Sequence, residues 1–174
     1  MKITAFAASN SSTSINGQLV ELATKYFPND QINLLDLNDF EMPIYSEDRN
    51  KQGVPSQATA FNQAISESDA LIISLAEHNG SFTTAFKNIF DWASREDMKV
   101  FKDKPMLLLS TSPGARGASG VLQQAQSIFP YFGGNIIASY SLGQFYDNFK
   151  DAEIINPEQK ALLTQTIQNF KDHL

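Results

Sequence analysis

The sequence predicts an α/β fold: one parallel β-sheet with helices packed on both faces. Three observations carry this. Apolar runs of strand length alternate with segments of helical periodicity along the whole chain, in the order βαβαβαβαβα. The run ALIISLA at residues 70–76 is almost uninterruptedly apolar, as a strand covered on both faces must be. The 174 residues show no repeat, no low-complexity linker and no composition shift, so residues 1–174 read as a single domain with a sizeable core.

Residues 3–8 form the first strand, and a polar loop over 9–14 leads into a helix over 15–26. Ile15, Leu19, Leu22, Ala23 and Tyr26 recur there at helical spacing, Ser14 is placed to cap the first turn, and Pro28-Asn29-Asp30 ends the segment. Residues 32–37 read as the second strand. Residues 38–55 are a long polar loop, a length that in a compact domain marks function or an interface. A helix over 56–68 turns Ala60, Phe61, Ala64 and Ile65 inward. The third strand, 70–76, is followed by EHNGS and a helix over 83–94 with Phe86, Ile89, Phe90 and Ala93 on one side. Trp92 in that helix reads as core or subunit-interface packing. Residues 105–110 form the fourth strand, 111–117 a turn-rich loop and 118–132 a helix bent near Pro130. A fifth strand over 135–142 and a closing helix over 157–174, with Pro157 in its first turn, complete the chain.

Composition narrows the chemistry. The chain has no cysteine, which removes disulfides, thiolate nucleophiles and cysteine metal sites together. It has two histidines, one of them next to last, so a histidine-rich metal site is not expected. Any redox chemistry must therefore reside in a bound cofactor. The net charge of −6 makes nucleic acid a poor partner. No apolar run approaches the ~20 residues of a membrane helix, and no membrane partner is expected. Ala5-Phe6-Ala7 faintly mimics a cleavage site, but the apolar run before it is too short for a signal peptide, so a cytoplasmic protein is expected.

Ligands of such sheets bind at the carboxyl ends of the strands, near the point where strand order reverses. That rule selects three loops. The first holds Ser9, Asn10, Ser11, Ser12, Thr13 and Ser14, then Ile15 and Asn16 at the start of a helix. Hydroxyls beside the unpaired N–H groups of a helix N-terminus suit a phosphate, although the same residues also make an ordinary capped turn. Neither the Walker pattern nor GxGxxG is present. The second loop, Glu77-His78-Asn79-Gly80-Ser81, exposes backbone able to meet the edge of a flat heterocycle, or is a plain turn. The third, Ser112-Pro113-Gly114-Ala115-Arg116-Gly117, has glycines that admit a ligand close to the backbone, and Arg116 offers a cation that equally suits the surface. The aromatics Phe129, Tyr131 and Phe132 and those of residues 144–149 exceed what a small core requires and point to an oligomer interface.

Together these loops resemble the NAD(P)H-dependent FMN reductase family of the flavodoxin-like superfamily. Glu77-His78-Asn79-Gly80-Ser81, then Phe86-Lys87-Asn88 and Asp91-Trp92, resemble the family's P-E-Y-N-G-S and L-K-N-x-x-D-W. Ser9, Ser14 and Asn16 resemble its phosphate loop G-S-x-R-x-x-S-x-N, and Ser112, Gly114 and Gly117 its S-x-G-x-x-G loop. Met42-Pro43-Ile44-Tyr45 and Asp48 resemble its L-P-x-Y-x-x-D segment. The chain departs at Ala8 for the family's glycine, Ser11 for its arginine and His78 for its tyrosine. The resemblance implies a flavodoxin-like three-layer sandwich with strand order 2-1-3-4-5. It implies bound FMN, NAD(P)H as co-substrate and a small acceptor such as a flavin, quinone, azo compound or metal oxyanion, in a homodimer or homotetramer. The cofactor would be held by Ser9, Ser11, Ser14, Ile15, Asn16, by Glu77 to Ser81, and by Ser112, Pro113, Gly114, Arg116 and Gly117, with no protein group acting as nucleophile. A flavodoxin-like carrier that draws electrons from a protein partner is the alternative. A receiver-like signalling domain would want an aspartate at the end of the third strand, where Glu77 stands instead.

Overall fold

The structure, a computed structural model, describes residues 1–174. Five strands make one parallel sheet: β1 (Lys2–Ala8), β2 (Gln31–Leu35), β3 (Ala70–Leu75), β4 (Pro105–Thr111) and β5 (Asn135–Leu142). Their order in space is β2-β1-β3-β4-β5, so the direction of winding reverses between β1 and β3. The helices are α1 (Ile15–Thr24), α2 (Ser56–Ser66), α3 (Thr84–Glu96), α4 (Ser119–Ile128) and α5 (Pro157–Lys171).

Strand residues alternate between two apolar clusters, as the pleat requires. Phe6, Leu71, Ile73 and Leu108 join Phe61 and Ile65 of α2, Phe86 and Trp92 of α3 and Val121 of α4. Ile3, Ala5, Ile72 and Leu107 join Leu19 and Ala23 of α1 and Leu163, Ile167 and Phe170 of α5. Every residue of β3 is buried, which is why its sequence lacks the alternation of a half-exposed strand.

Several boundaries differ from expectation. The second strand stops at Leu35 rather than Leu37, because Asp36 caps a 3-10 turn over Leu37–Phe40 by accepting from the Asn38 N–H at 2.9 Å. The long loop is not featureless: it contains that turn and a four-residue helix, Glu47–Asn50, capped by Ser46. The loop is pinned from α3. Asn88 Nδ2 donates to the Met42 and Pro43 carbonyls, its Oδ1 accepts from the Tyr45 N–H, and Trp92 Nε1 donates to the Pro43 carbonyl at 2.7 Å. The fourth helix ends at Ile128, and Pro130 lies in a 3-10 turn over Phe129–Phe132.

Most of the aromatic surplus is core. Phe129 is fully buried against Phe82, Phe86, Phe90 and Phe101, and Phe145 and Phe149 stack on one another inside the other cluster. Only Tyr131 and Tyr146 of that set are exposed. No helix is long and apolar enough to cross a membrane.

Candidate functional site

The register places Ala8 beside Leu75 and Leu75 beside Ser110, so β1, β3 and β4 end level with one another. The three loops selected from the sequence therefore rise from one edge of the sheet, at the reversal of strand order.

The first loop is organised by its own hydroxyls. Ser9 Oγ accepts from the Ser11 N–H, Ser11 Oγ from the Thr13 N–H, and Ser14 Oγ from the Gly17 N–H at 3.1 Å. Each oxygen is used as an acceptor, and the hydroxyl hydrogens of Ser9 and Ser14 stay available to an external acceptor. Ser14 is the N-cap of α1, as its position before the apolar pattern predicts. The N–H groups of Ile15 and Asn16 in the first turn have no acceptor in the chain. A depression of about 330 Å³ borders Ser9, the run Ser11 to Ser14 and Asp36.

Asn16 does not turn its side chain toward this depression. It is buried, with Oδ1 accepting from Ser74 Oγ at 2.9 Å and the Thr111 N–H at 3.1 Å, and Nδ2 donating to the Thr111 carbonyl at 3.2 Å. The amide thus fastens α1 to the ends of β3 and β4.

The second loop is a two-residue hairpin. Glu77–His78 pairs antiparallel with Ser81–Phe82, and Asn79 and Gly80 both take positive φ, 50° and 79°. The N–H groups of Asn79 and Gly80 have no acceptor in the chain. Glu77 turns away from the tip: its Oε2 accepts from the Val121 N–H of α4 at 2.8 Å. His78 is exposed and borders a groove of about 260 Å³ shared with Asn10, Glu41, Ile44, Thr84 and Asn88. Ser81 Oγ donates to Gln124 of α4.

In the third loop, Pro113, Gly114, Ala115 and Arg116 are exposed, and the N–H groups of Gly114, Ala115 and Arg116 have no acceptor in the chain. A Cβ at Gly114 would meet nothing nearer than Ser112 Oγ at 3.9 Å, so the space above it is open. Gly117 is the opposite case: its φ is +57°, a Cβ would lie 2.4 Å from Ser141 Oγ, and its carbonyl accepts from both Ser110 and Ser141. The loop is braced by the segment after β5, through Gln144 N–H to the Gly114 carbonyl and Phe145 N–H to the Ser112 carbonyl.

The supports Ser74, Thr83, Ser110, Thr111, Gly120, Gln124, Ser141 and Gly143 are not among the residues expected from the sequence. Ser74 and Ser110 carry a visible signal: each is a polar residue that follows an apolar run and stands one step before the last residue of its strand. Thr83 caps α3 and donates to the Ala8 carbonyl at 2.9 Å, tying the second loop to the first. No group of three or more acidic, histidine or cysteine side chains is placed to hold a metal.

The family model described as NADPH-dependent FMN reductase matches residues 1–147. The chain belongs to the NADPH-dependent FMN reductase family. That family uses FMN as cofactor and NAD(P)H as electron donor, and this member is an oxidoreductase. A 2-hydroxy-1,4-benzoquinone reductase of Burkholderia sp. is 32% identical over 133 residues, 75% of this chain and 71% of that protein. An NAD(P)H-dependent FMN reductase of Pseudomonas aeruginosa is 32% identical over 120 residues, 68% of this chain and 64% of that one. An NAD(P)H:(acceptor) oxidoreductase from Paracoccus denitrificans shares the fold with a TM-score of 0.79 at 20% identity, over 99% of this chain and 98% of that one. A flavodoxin from Pseudomonas aeruginosa shares it with a TM-score of 0.55 at 16% identity, over 98% and 99%.

Proposed function

We propose that this reductase-family chain binds FMN across its three loops and passes reducing equivalents from NAD(P)H to a small acceptor, with a quinone as the first candidate. The observation that carries the reading is the set of unpaired N–H donors on one sheet edge: Ile15 and Asn16 at a helix N-terminus, Asn79 and Gly80 on the hairpin, Gly114 to Arg116 on the third loop. This donor set fits FMN in kind. A phosphate takes a helix N-terminus with hydroxyls, and a flat ring with carbonyls on its edge takes backbone amides beside glycines whose Cβ space is open.

When bound, FMN supplies the hydride chemistry that no side chain of this protein supplies. Ile15 and Asn16 N–H and the hydroxyls of Ser9 and Ser14 would hold the phosphate without a cation, since serine stands at position 11, where its hydroxyl is engaged with Thr13 and orders the loop. Asn79, Gly80, Gly114 and Arg116 would hold the ring edge, while Ser112, Pro113 and Gly117 fix the third loop, and the Arg116 side chain would offset negative charge there. Glu77, His78 and Ser81 shape the hairpin, with His78 at the rim facing the groove. The quinone preference rests on relatives named as quinone reductases, including the Burkholderia protein and an NADPH:quinone oxidoreductase of Arabidopsis thaliana, 31% identical over 67% of this chain and 61% of that one.

The arrangement of helices against both faces of the sheet supports a flavodoxin-like three-layer sandwich. Exposed Tyr131, Tyr146 and Ile44 support a homodimer or homotetramer, which light scattering reads directly. Dependence on NAD(P)H in a chain without cysteine supports a cytoplasmic location. Anaerobic mixing of the FMN-loaded protein with NADPH or NADH tests the function. A reductase loses its visible flavin absorption on mixing, whereas an electron carrier stays oxidised until a protein donor is added.

A further inference from the structure

We propose that Glu77 is a positioning residue that locks the hairpin of the second loop to the helix that follows the third loop, and so sets the separation of the two backbone segments that hold the ring. The proposal rests on the reading of these loops as the flavin site.

The helix α4 begins without a cap of its own. Its N-cap residue is Ala118, which sits in the left-handed region at φ 61° and has no side chain able to accept a hydrogen bond. In the first turn the Ser119 N–H reaches the Arg116 carbonyl at 2.9 Å, but the N–H groups of Gly120 and Val121 find no local acceptor. Glu77 supplies the missing acceptor from 44 residues away, with Oε2 at 2.8 Å from the Val121 N–H. A carboxylate at this end of a helix also meets the positive end of the dipole. The fit is close enough to dictate the neighbour: a Cβ on Gly120 would stand 2.9 Å from Glu77 Oε2 and 3.4 Å from its Cδ. A second tie runs parallel, from Ser81 Oγ to Gln124 one turn further along α4, at 3.1 Å. One link leaves the hairpin at its base, Glu77, and the other at Ser81, the residue directly after the turn, so the tip Asn79-Gly80 is held while its N–H groups stay free. On the other side α4 continues directly from the third loop through buried Gly117 and Ala118.

Glu77 acts through α4 rather than by touching the cofactor. Glu77→Ala is expected to raise amide hydrogen exchange at Val121 about tenfold in the protein without FMN, and to weaken FMN binding about tenfold, converting to the ~1.4 kcal/mol of a lost cap. Glu77→Gln keeps an acceptor oxygen and should restore both to within about threefold. The decisive arm is Gly120→Ala. In the parent protein the new methyl displaces the carboxylate and should weaken FMN binding. In the Glu77→Ala background the same methyl no longer meets its three nearest neighbours, all of them atoms of the Glu77 carboxyl group, and gains helix propensity, so it should leave binding unchanged and raise the melting temperature. Unchanged Val121 exchange in Glu77→Ala, or equal Gly120→Ala effects in the two backgrounds, would overturn the proposal. The exchange and melting arms need no FMN. A parent protein that fails to bind FMN therefore sinks the reading of the site while still deciding whether Glu77 is the clamp.

Discussion

Asn16→Ala removes the one side chain that joins α1 to both β3 and β4 at the site edge. The structure allows its cost to be worked out. Ser74 Oγ, with no exposure, and the Thr111 N–H, in a residue 1% exposed, would each lose their acceptor at a site closed to bulk solvent. A buried donor left unpaired costs about 1–3 kcal/mol, so two of them with the Thr111 carbonyl give about 4 kcal/mol. Against a total stability of about 5–15 kcal/mol that is a large fraction. For a chain of this length it lowers the melting temperature by roughly 8–16 °C. Urea unfolding followed by circular dichroism measures it. The signature is in the double variant: Asn16→Ala with Ser74→Ala deletes one of the orphaned groups and is expected to be about 1 kcal/mol more stable than Asn16→Ala alone. A loss under about 1 kcal/mol for the single variant, or a further loss in the double, would refute the network.

Gly117→Ala places a side chain at φ +57° and 2.4 Å from Ser141 Oγ, and is expected to cost about 2–5 kcal/mol in thermal unfolding and to abolish tight FMN binding. Ser11→Arg restores a cation beside the phosphate loop and should tighten FMN binding about tenfold at low salt, less at high salt, as read by quenching of flavin fluorescence. Asp97 is held below its ordinary value of 3.8, first by the hydrogen bond from Lys102 and then by the Lys99 N–H. A depressed carboxyl stabilises above its unfolded value and loses that contribution as pH falls through its folded one. Asp97→Asn should therefore be slightly less stable at pH 7, by a few tenths of a kcal/mol for so exposed a pair. It should become indistinguishable from the parent only once the pH has fallen through the folded value, which lies below 3.8.

The sheet was legible because its strands are buried and parallel, which forces long apolar runs such as residues 70–76. Helix starts at Ile15 and Pro157 were legible from Ser14 and from proline in the first turn. Local turn chemistry at Asn79-Gly80 also reads directly. What escaped is what depends on distant partners. Asn16 looks like a phosphate ligand in a loop rich in hydroxyls, yet its amide is consumed by Ser74 and Thr111, 58 and 95 residues on. Glu77 looks like part of a binding loop until Val121 is seen beside it. Phe129 and Phe145 look surplus until the two cores are counted on opposite faces of the sheet. Asp36 ended a strand early because a side-chain cap competes with the ladder wherever the next residue is not bound to a neighbour strand.

Three loops at one sheet edge are proposed to hold FMN through backbone amides and hydroxyls. Titrating isotope-labelled protein with FMN and following its amide resonances tests this most directly. The largest shifts are expected on Ile15, Asn16, Asn79, Gly80, Gly114, Ala115 and Arg116, and inorganic phosphate alone should move only the first two. Shifts confined to the groove between Asn10 and Glu41, or to the far side of β5, would contradict it.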